Sequence, residues 1–203
     1  FTTHKSGGTS VLFKIRPCVV FGVKQDWVIM SQHTICSDLF TSGGTKSLET
    51  IILEIKTGSY KSEVDRIRQN KRAGREYSGL KKKLPGFTPS GVFDKSRKAE
   101  NLAKYSHIVH LDIDNLGEQL FETILQLKKI PETHAFFISP SGNGVKVFVK
   151  VKSNANEHSK IYDDVLTFFK RKLNVEIDSS CSDIPRLCFF SYDPNAFYNK
   201  ESK

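Results

Sequence analysis

The stretch Val145-Lys146-Val147-Phe148-Val149-Lys150-Val151 alternates strictly, with four valines on one side and Lys146, Phe148 and Lys150 on the other. A period of two fits a β-strand with one apolar face and excludes a helix over the same residues. A second run, Ser106 to Asp114, carries Val109, Leu111 and Ile113 on one face and ends on the pair Asp112 and Asp114, which share the opposite face. Between the two runs, Leu116, Leu120, Ile124 and Leu127 mark a helix that Pro131 closes, with Asn115 and Glu118 expected to cap it. Ala135 to Ser139 reads as another strand, ended by the turn Pro140-Ser141-Gly142-Asn143-Gly144.

Beyond Val151, Ile161, Val165, Phe168 and Phe169 define a further helix, and a last strand is expected near Arg186 to Ser191. The order from Ser106 is therefore strand, helix, strand, strand, helix, strand. That predicts the α+β class: a ferredoxin-like, RNA-recognition-motif-like βαββαβ unit on an antiparallel four-stranded sheet. In that topology the first strand lies between the fourth and the third. Asp112 and Asp114 should then share one sheet end with Ser139, Ser141, Lys146, Asp178 and Arg186.

Ahead of this unit, Leu48, Ile51, Ile52 and Ile55 have helical spacing and stop at Gly58, and Ser62 with Asp65 opens a second helix. The expected organisation is an extension outside the domain over 1–29, with translation starting at Met30, the only methionine, and a domain over 30–203. That domain divides into an N-terminal α/β extension, 30–105, and the βαββαβ unit, 106–198. The apolar run Cys18 to Val23 is too short for a membrane span. Cys18, Cys36, Cys181 and Cys188 lack CxxC spacing, which points to neither a zinc site nor a disulfide framework. A reducing cytoplasm and no membrane association are expected.

The chain carries a formal net charge of +9, and thirteen Lys/Arg stand against five Asp/Glu between Lys61 and Lys104. Arg66, Arg68, Lys71 and Arg72 lie on the second helix, and Lys81, Lys82 and Lys83 in an extended loop. Localised positive charge fits a polyanion, with nucleic acid the leading candidate, and a solvated surface is the plainer alternative. Two carboxylates about 4 Å apart repel by roughly 4 kcal/mol at an effective dielectric of 20, so a cation or a proton is expected between them. Hard oxygen ligands favour Mg²⁺ or Mn²⁺. Asp112, Asp114 and Asp178 are the candidate catalytic and metal-ligating residues, with Asp183 a rival for the third place. Lys146 and Arg186 would neutralise phosphates, while Ser139, Ser141, Gly142 and Gly144 bring backbone N–H groups close. His107 and His110 read as core or edge residues.

Leu111-Asp112-Ile113-Asp114, then Ser139 to Lys146, then Ile177-Asp178 followed by Arg186 and Ser191, resemble the three motifs of the archaeo-eukaryotic primase superfamily. The closer likeness is to the primase-polymerase domain that precedes VirE-type ATPase segments in bacterial mobile elements, and it spans roughly Cys36 to Tyr198. The resemblance implies metal-dependent nucleotidyl transfer from nucleoside triphosphates to a growing strand, on a single-stranded DNA template. Lys146 stands where many members carry a histidine. No GxxxxGK[ST] P-loop occurs, so a partnering helicase or ATPase is expected on another chain or a further part of this one. Two other readings use the same residues: a nucleic-acid-binding replication module without turnover, and a metal-dependent nuclease.

Overall fold

In the computed structural model, which describes residues 31–36 and 42–203, the alternating run at Val145 lies at the centre of a sheet. The expected extension over 1–29, the start at Met30 and the Cys18 run lie outside the described residues. The strands are β1 (Gln32–Cys36), β2 (Ser42–Ser47), β3 (Gly86–Phe87), β4 (Gly91–Phe93), β5 (Leu102–Tyr105), β6 (Ile108–Ile113), β7 (Thr133–Ile138), β8 (Val145–Lys150), β9 (Cys188–Phe189) and β10 (Phe197–Tyr198). The helices are α1 (Leu48–Thr57), α2 (Lys61–Arg72), α3 (Ser78–Lys81), α4 (Leu120–Lys129) and α5 (His158–Leu173). Mixed α+β architecture with antiparallel sheets follows from this order.

The central sheet runs β10-β7-β8-β6, every neighbouring pair antiparallel. On one face Val109, Leu111, Ile113, Phe136, Val145, Val147 and Val149 pack against Leu127 of α4 and Tyr162, Leu166, Phe169 and Leu173 of α5. The other face is covered too: Ile108, Ala135, Phe137 and Phe148 meet Leu48, Ile51, Ile52 and Ile55 of α1, with Phe87, Cys188 and Phe190. Each fully buried Phe or Ile side chain contributes about 1.5–3 kcal/mol. A second sheet, β2-β1-β3-β9, and the ribbon β4-β5 complete the fold.

Some local expectations hold. Gly58, at φ +86°, ends α1 in the left-handed conformation as expected; the helix starts at Leu48, where Ser47, a cap the sequence reading did not name, accepts from Thr50 N at 3.1 Å. Ile130 is extended ahead of Pro131, and α4 stops at Lys129. Two expected capping boxes do not form. Tyr60 precedes α2 without a side-chain cap and Asp65 pairs with Lys61 instead, because the i,i+4 ion pair is available. Asn115 adopts φ +57° and is followed by a 3-10 turn, Gly117–Gln119, so its side chain is out of position to cap α4.

The expected fourth strand is displaced. Cys188–Phe189 pairs with Gly86–Phe87 in the second sheet, not with β6. The place beside β6 is held by a single antiparallel bridge, Asp112 to Asp178. The cause is the layer under the central sheet, which needs Cys188 and Phe190 to pack against Phe87 and α1. The turn at Asp183, where Arg186 N donates to Asp183 O at 3.2 Å, swings the chain into that layer. Instead of a four-stranded order with β6 inside, the sheet gains β10 at its far edge. The expected basic loop is partly helical, since Lys81 closes α3.

Candidate nucleotide and metal site

Register alone builds a lateral row across the end of the central sheet. Asp178 lies opposite Asp112, Asp112 opposite Lys146, and Lys146 opposite Phe137. Directly opposed residues share a face, so the four side chains stand side by side. Asp178 N donates to Asp112 O at 3.1 Å, which ties the third aspartate to the first through the backbone. Asp114, two residues along the same face, is exposed.

The Lys146 ammonium forms an ion pair with Asp112 Oδ2, at side-chain exposures of 6% and 15%. Burial lowers the Lys146 pKa, and Asp112, with Cys188 and Asp114, together more than offsets it, so the ammonium is held charged. Asp112 Oδ1 is buried without a hydrogen-bond partner. Beneath the pair, burial pushes the Cys188 thiol well up, and burial, then Asp112, raises Cys181 to about 11, so neither thiol is a nucleophile near neutrality. His110 is a core residue: its ring stacks on Phe148 at 5.2 Å, and burial, then Lys146 and Arg186, keep it neutral. Both of its nitrogens lack partners, which costs about 1–3 kcal/mol for each unsatisfied group.

The Gly-rich turn joins the row at the start of β8. Ser139 N donates to Gly144 O at 2.8 Å and Gly142 N to Ser139 O at 2.9 Å, so two of its N–H groups close the turn itself. Gly142 sits at φ +74°. At Gly144 an added Cβ would lie well inside the contact distance to Ile113 O and 2.9 Å from Asp114 Oδ1. Only glycine lets the turn approach the acidic pair this closely. Ser139 Oγ and Ser141 Oγ are 3.1 Å apart. Asn143 accepts from Leu116 N at 3.0 Å and, through Oδ1, from Gly117 N at 2.8 Å, pinning the turn to the chain just beyond Asp114.

Asp178 and Arg186 reach the same rim with local bonds already made. Both Asp178 oxygens accept from Ser180, from N at 2.8 Å and from Oγ at 2.7 Å, which holds its carboxyl below the usual range. Arg186 Nε donates to Asp183 Oδ1 at 2.7 Å, so Asp183 is the partner of Arg186 and Asp178 is the neighbour of Asp112. On the open side of Asp114 is a cleft of about 530 Å³ whose lining includes Asn115, Gln119, Asn174 and the ion pair Lys170–Glu176 at 2.9 Å.

Among the described residues no group of three or more His, Cys, Asp or Glu side chains is arranged to hold a metal ion. Mg²⁺ is commonly held by one or two carboxylates together with substrate phosphates, without a full protein cage. The orphaned Asp112 Oδ1 and the exposed Asp114 fit that shared arrangement.

The family model described as BT4734-like, N-terminal domain matches residues 79–198. The chain belongs to this family. Neither a search of curated proteins nor one of solved structures found a match.

The BT4734-like match runs from α3 to β10 and so takes in the acidic pair, the Gly-rich turn, Asp178 and Arg186. Helices α1 and α2, with Arg66, Arg68, Lys71 and Arg72, precede it. Of the basic residues, Arg66, Arg72, Lys82 and Lys83 are exposed. Lys71 lies 5.9 Å from the Tyr77 ring centre and Lys81 5.9 Å from that of Phe189. Arg68 turns inward: it donates to Tyr192 O at 2.8 Å and to Ser139 O at 3.2 Å, docking α2 on the Gly-rich turn of the BT4734-like domain.

Sequence reasoning missed this inward role, the cleft residues and the buried Asp193, whose Oδ2 accepts from Ile138 N at 2.9 Å. Asp193-Pro194-Asn195 carries a turn signal that marks a bend there but not its partner. Among the described residues no helix is long and apolar enough to cross a membrane.

Proposed function

We propose that the chain is a primase/polymerase-type nucleotidyltransferase that initiates or extends a nucleic-acid strand from nucleoside triphosphates, in the replication of mobile elements. The observation that carries this reading is the row Asp178, Asp112, Lys146 with Asp114 and the Gly-rich turn beside it, on one rim. Asp112 and Asp114 would hold Mg²⁺ or Mn²⁺ with the triphosphate, and Asp178, fixed by Ser180, adds negative charge next to them. A divalent ion held there would neutralise phosphate charge and lower the pKa of an attacking hydroxyl.

The chain's own groups do the rest. Lys146 and Arg186 neutralise phosphates, Arg186 with a planar fork. Ser139, Ser141, Gly142 and Gly144 shape the approach of the triphosphate. Exposed Arg66, Arg72, Lys82 and Lys83, with Lys71 and Lys81, offer a track for a single-stranded DNA template, while Arg68 fixes that track against the nucleotide turn. The test is incorporation on single-stranded DNA with Mg²⁺ or Mn²⁺, with Asp112→Ala and Asp114→Ala as controls. Product that both substitutions abolish supports the reading; product that persists undiminished in both overturns the assignment of the site.

One observation favours a second reading, a replication module that binds nucleic acid without turnover: Asp112 is already neutralised by Lys146. It expects salt-sensitive DNA binding that EDTA leaves unaltered, and no incorporation with any metal.

A further inference from the structure

The ion pair between Lys146 and Asp112 has an uneven environment. Lys146 is buried, and it stands between Asp112 on one neighbouring strand and Phe137 on the other. Asp112 offers one oxygen to this ammonium and keeps the second, Oδ1, enclosed and without a partner. A carboxylate accepts through both oxygens, and leaving one of them dry is unfavourable unless something else takes it. The Gly-rich turn, where phosphate oxygens are proposed to sit, lies immediately before Lys146 in the chain and folds back over the end of β6.

We infer that Lys146 is an exchangeable internal counter-ion, which occupies Asp112 while the site is empty and moves to the triphosphate when a nucleotide enters, giving up the carboxylate to the divalent ion. This assignment rests on the nucleotidyl-transfer reading for its ligand, and it adds what that reading leaves out: the ion and the nucleotide bind together, because an ammonium in contact with Asp112 disfavours a second cation there. Lys146 thereby keeps the free protein from loading metal alone.

The experiment is Mn²⁺ binding in the absence of nucleotide, followed by electron paramagnetic resonance of the free ion, on the wild-type chain, Lys146→Met and Lys146→Gln. The glutamine amide can still donate to the buried oxygen, which keeps the test available if Lys146→Met does not fold. Removing the ammonium is expected to tighten Mn²⁺ by about tenfold or more, since a unit charge beside the carboxylate is removed. Adding Asp112→Asn to either variant is expected to abolish the gain, and Lys128→Met, an exposed charge on α4, to produce none.

Equal Mn²⁺ affinity in the wild type and in the folded variant overturns the inference. The two proposals fail separately. Tighter Mn²⁺ without any incorporation by the wild type retains the counter-ion and removes the polymerase; incorporation with equal Mn²⁺ affinities does the reverse.

Discussion

Replacing Arg68 by methionine separates two roles that the sequence merges. The guanidinium donates to Tyr192 O at 2.8 Å and to Ser139 O at 3.2 Å. Ser139 O keeps a second donor, Gly142 N at 2.9 Å, whereas Tyr192 O loses a charged one. Hydrogen bonds to charged groups contribute about 1.5–3 kcal/mol, while the buried Nε of Arg68 lacks a partner and offsets part of that gain. Methionine retains the packing of the aliphatic stem. The expected loss is therefore about 2 kcal/mol, and with a urea m-value of about 2 kcal/mol/M the midpoint falls by about 1 M.

Because the Arg68 fork faces carbonyl oxygens within the protein, the slope of log affinity against log salt for single-stranded DNA should stay as in the wild type. Arg66→Met and Arg72→Met, both exposed, should behave inversely: stability within about 0.5 kcal/mol, and a slope flatter by about 0.7 for each phosphate that is no longer neutralised. Urea melts read at two wavelengths, with fluorescence anisotropy at three or more salt concentrations, measure both. An unmoved midpoint in Arg68→Met together with a flattened slope would refute the inward role.

Gly144→Ala drives a methyl group into Ile113 O and against Asp114, and it should cost about 3 kcal/mol by overpacking; a loss below about 1 kcal/mol in urea melts would show that the turn yields. Acid should also weaken the fold through buried histidines. Burial lowers the pKa of His33 to about 4, so its contribution is fully present above the unfolded value of about 6.5 and is lost as pH falls towards 4. That difference corresponds to about 3 kcal/mol, and stability measured at pH 7 and pH 4.5 should converge in a His33→Gln variant relative to the wild type.

The central strands were legible because alternation at Val145–Val151 and at Ser106–Asp114 reports a strand with one apolar face, and the helices because their apolar stripes have the right period; the cover over the second face, at Phe137 and Phe148, was not legible in that pattern. The co-location of Asp112, Asp178 and Lys146 followed from topology, and it survives although the strand expected near Arg186 pairs elsewhere. What stayed hidden is long-range choice. Cys188 and Phe190 look the same to a periodicity whether they join β6 or pack beneath the sheet, and space under α1 decides it. Arg68 is one basic residue among five on its helix, and nothing local distinguishes the one that turns inward. Asn115 reads equally as a cap or as a left-handed turn residue; the tie of Leu116 and Gly117 to Asn143 accompanies the turn conformation.

Sheets of the RNA-recognition type present aromatic side chains on an open face, where bases lie flat against them. Here Phe137 and Phe148 occupy such a face, yet α1, Phe87 and Phe190 roof it over. A strand of nucleic acid thus finds no exposed platform on the middle of this sheet. A strand bound as proposed would instead run along the border where α2 abuts the glycine turn, with its bases turned away from the sheet.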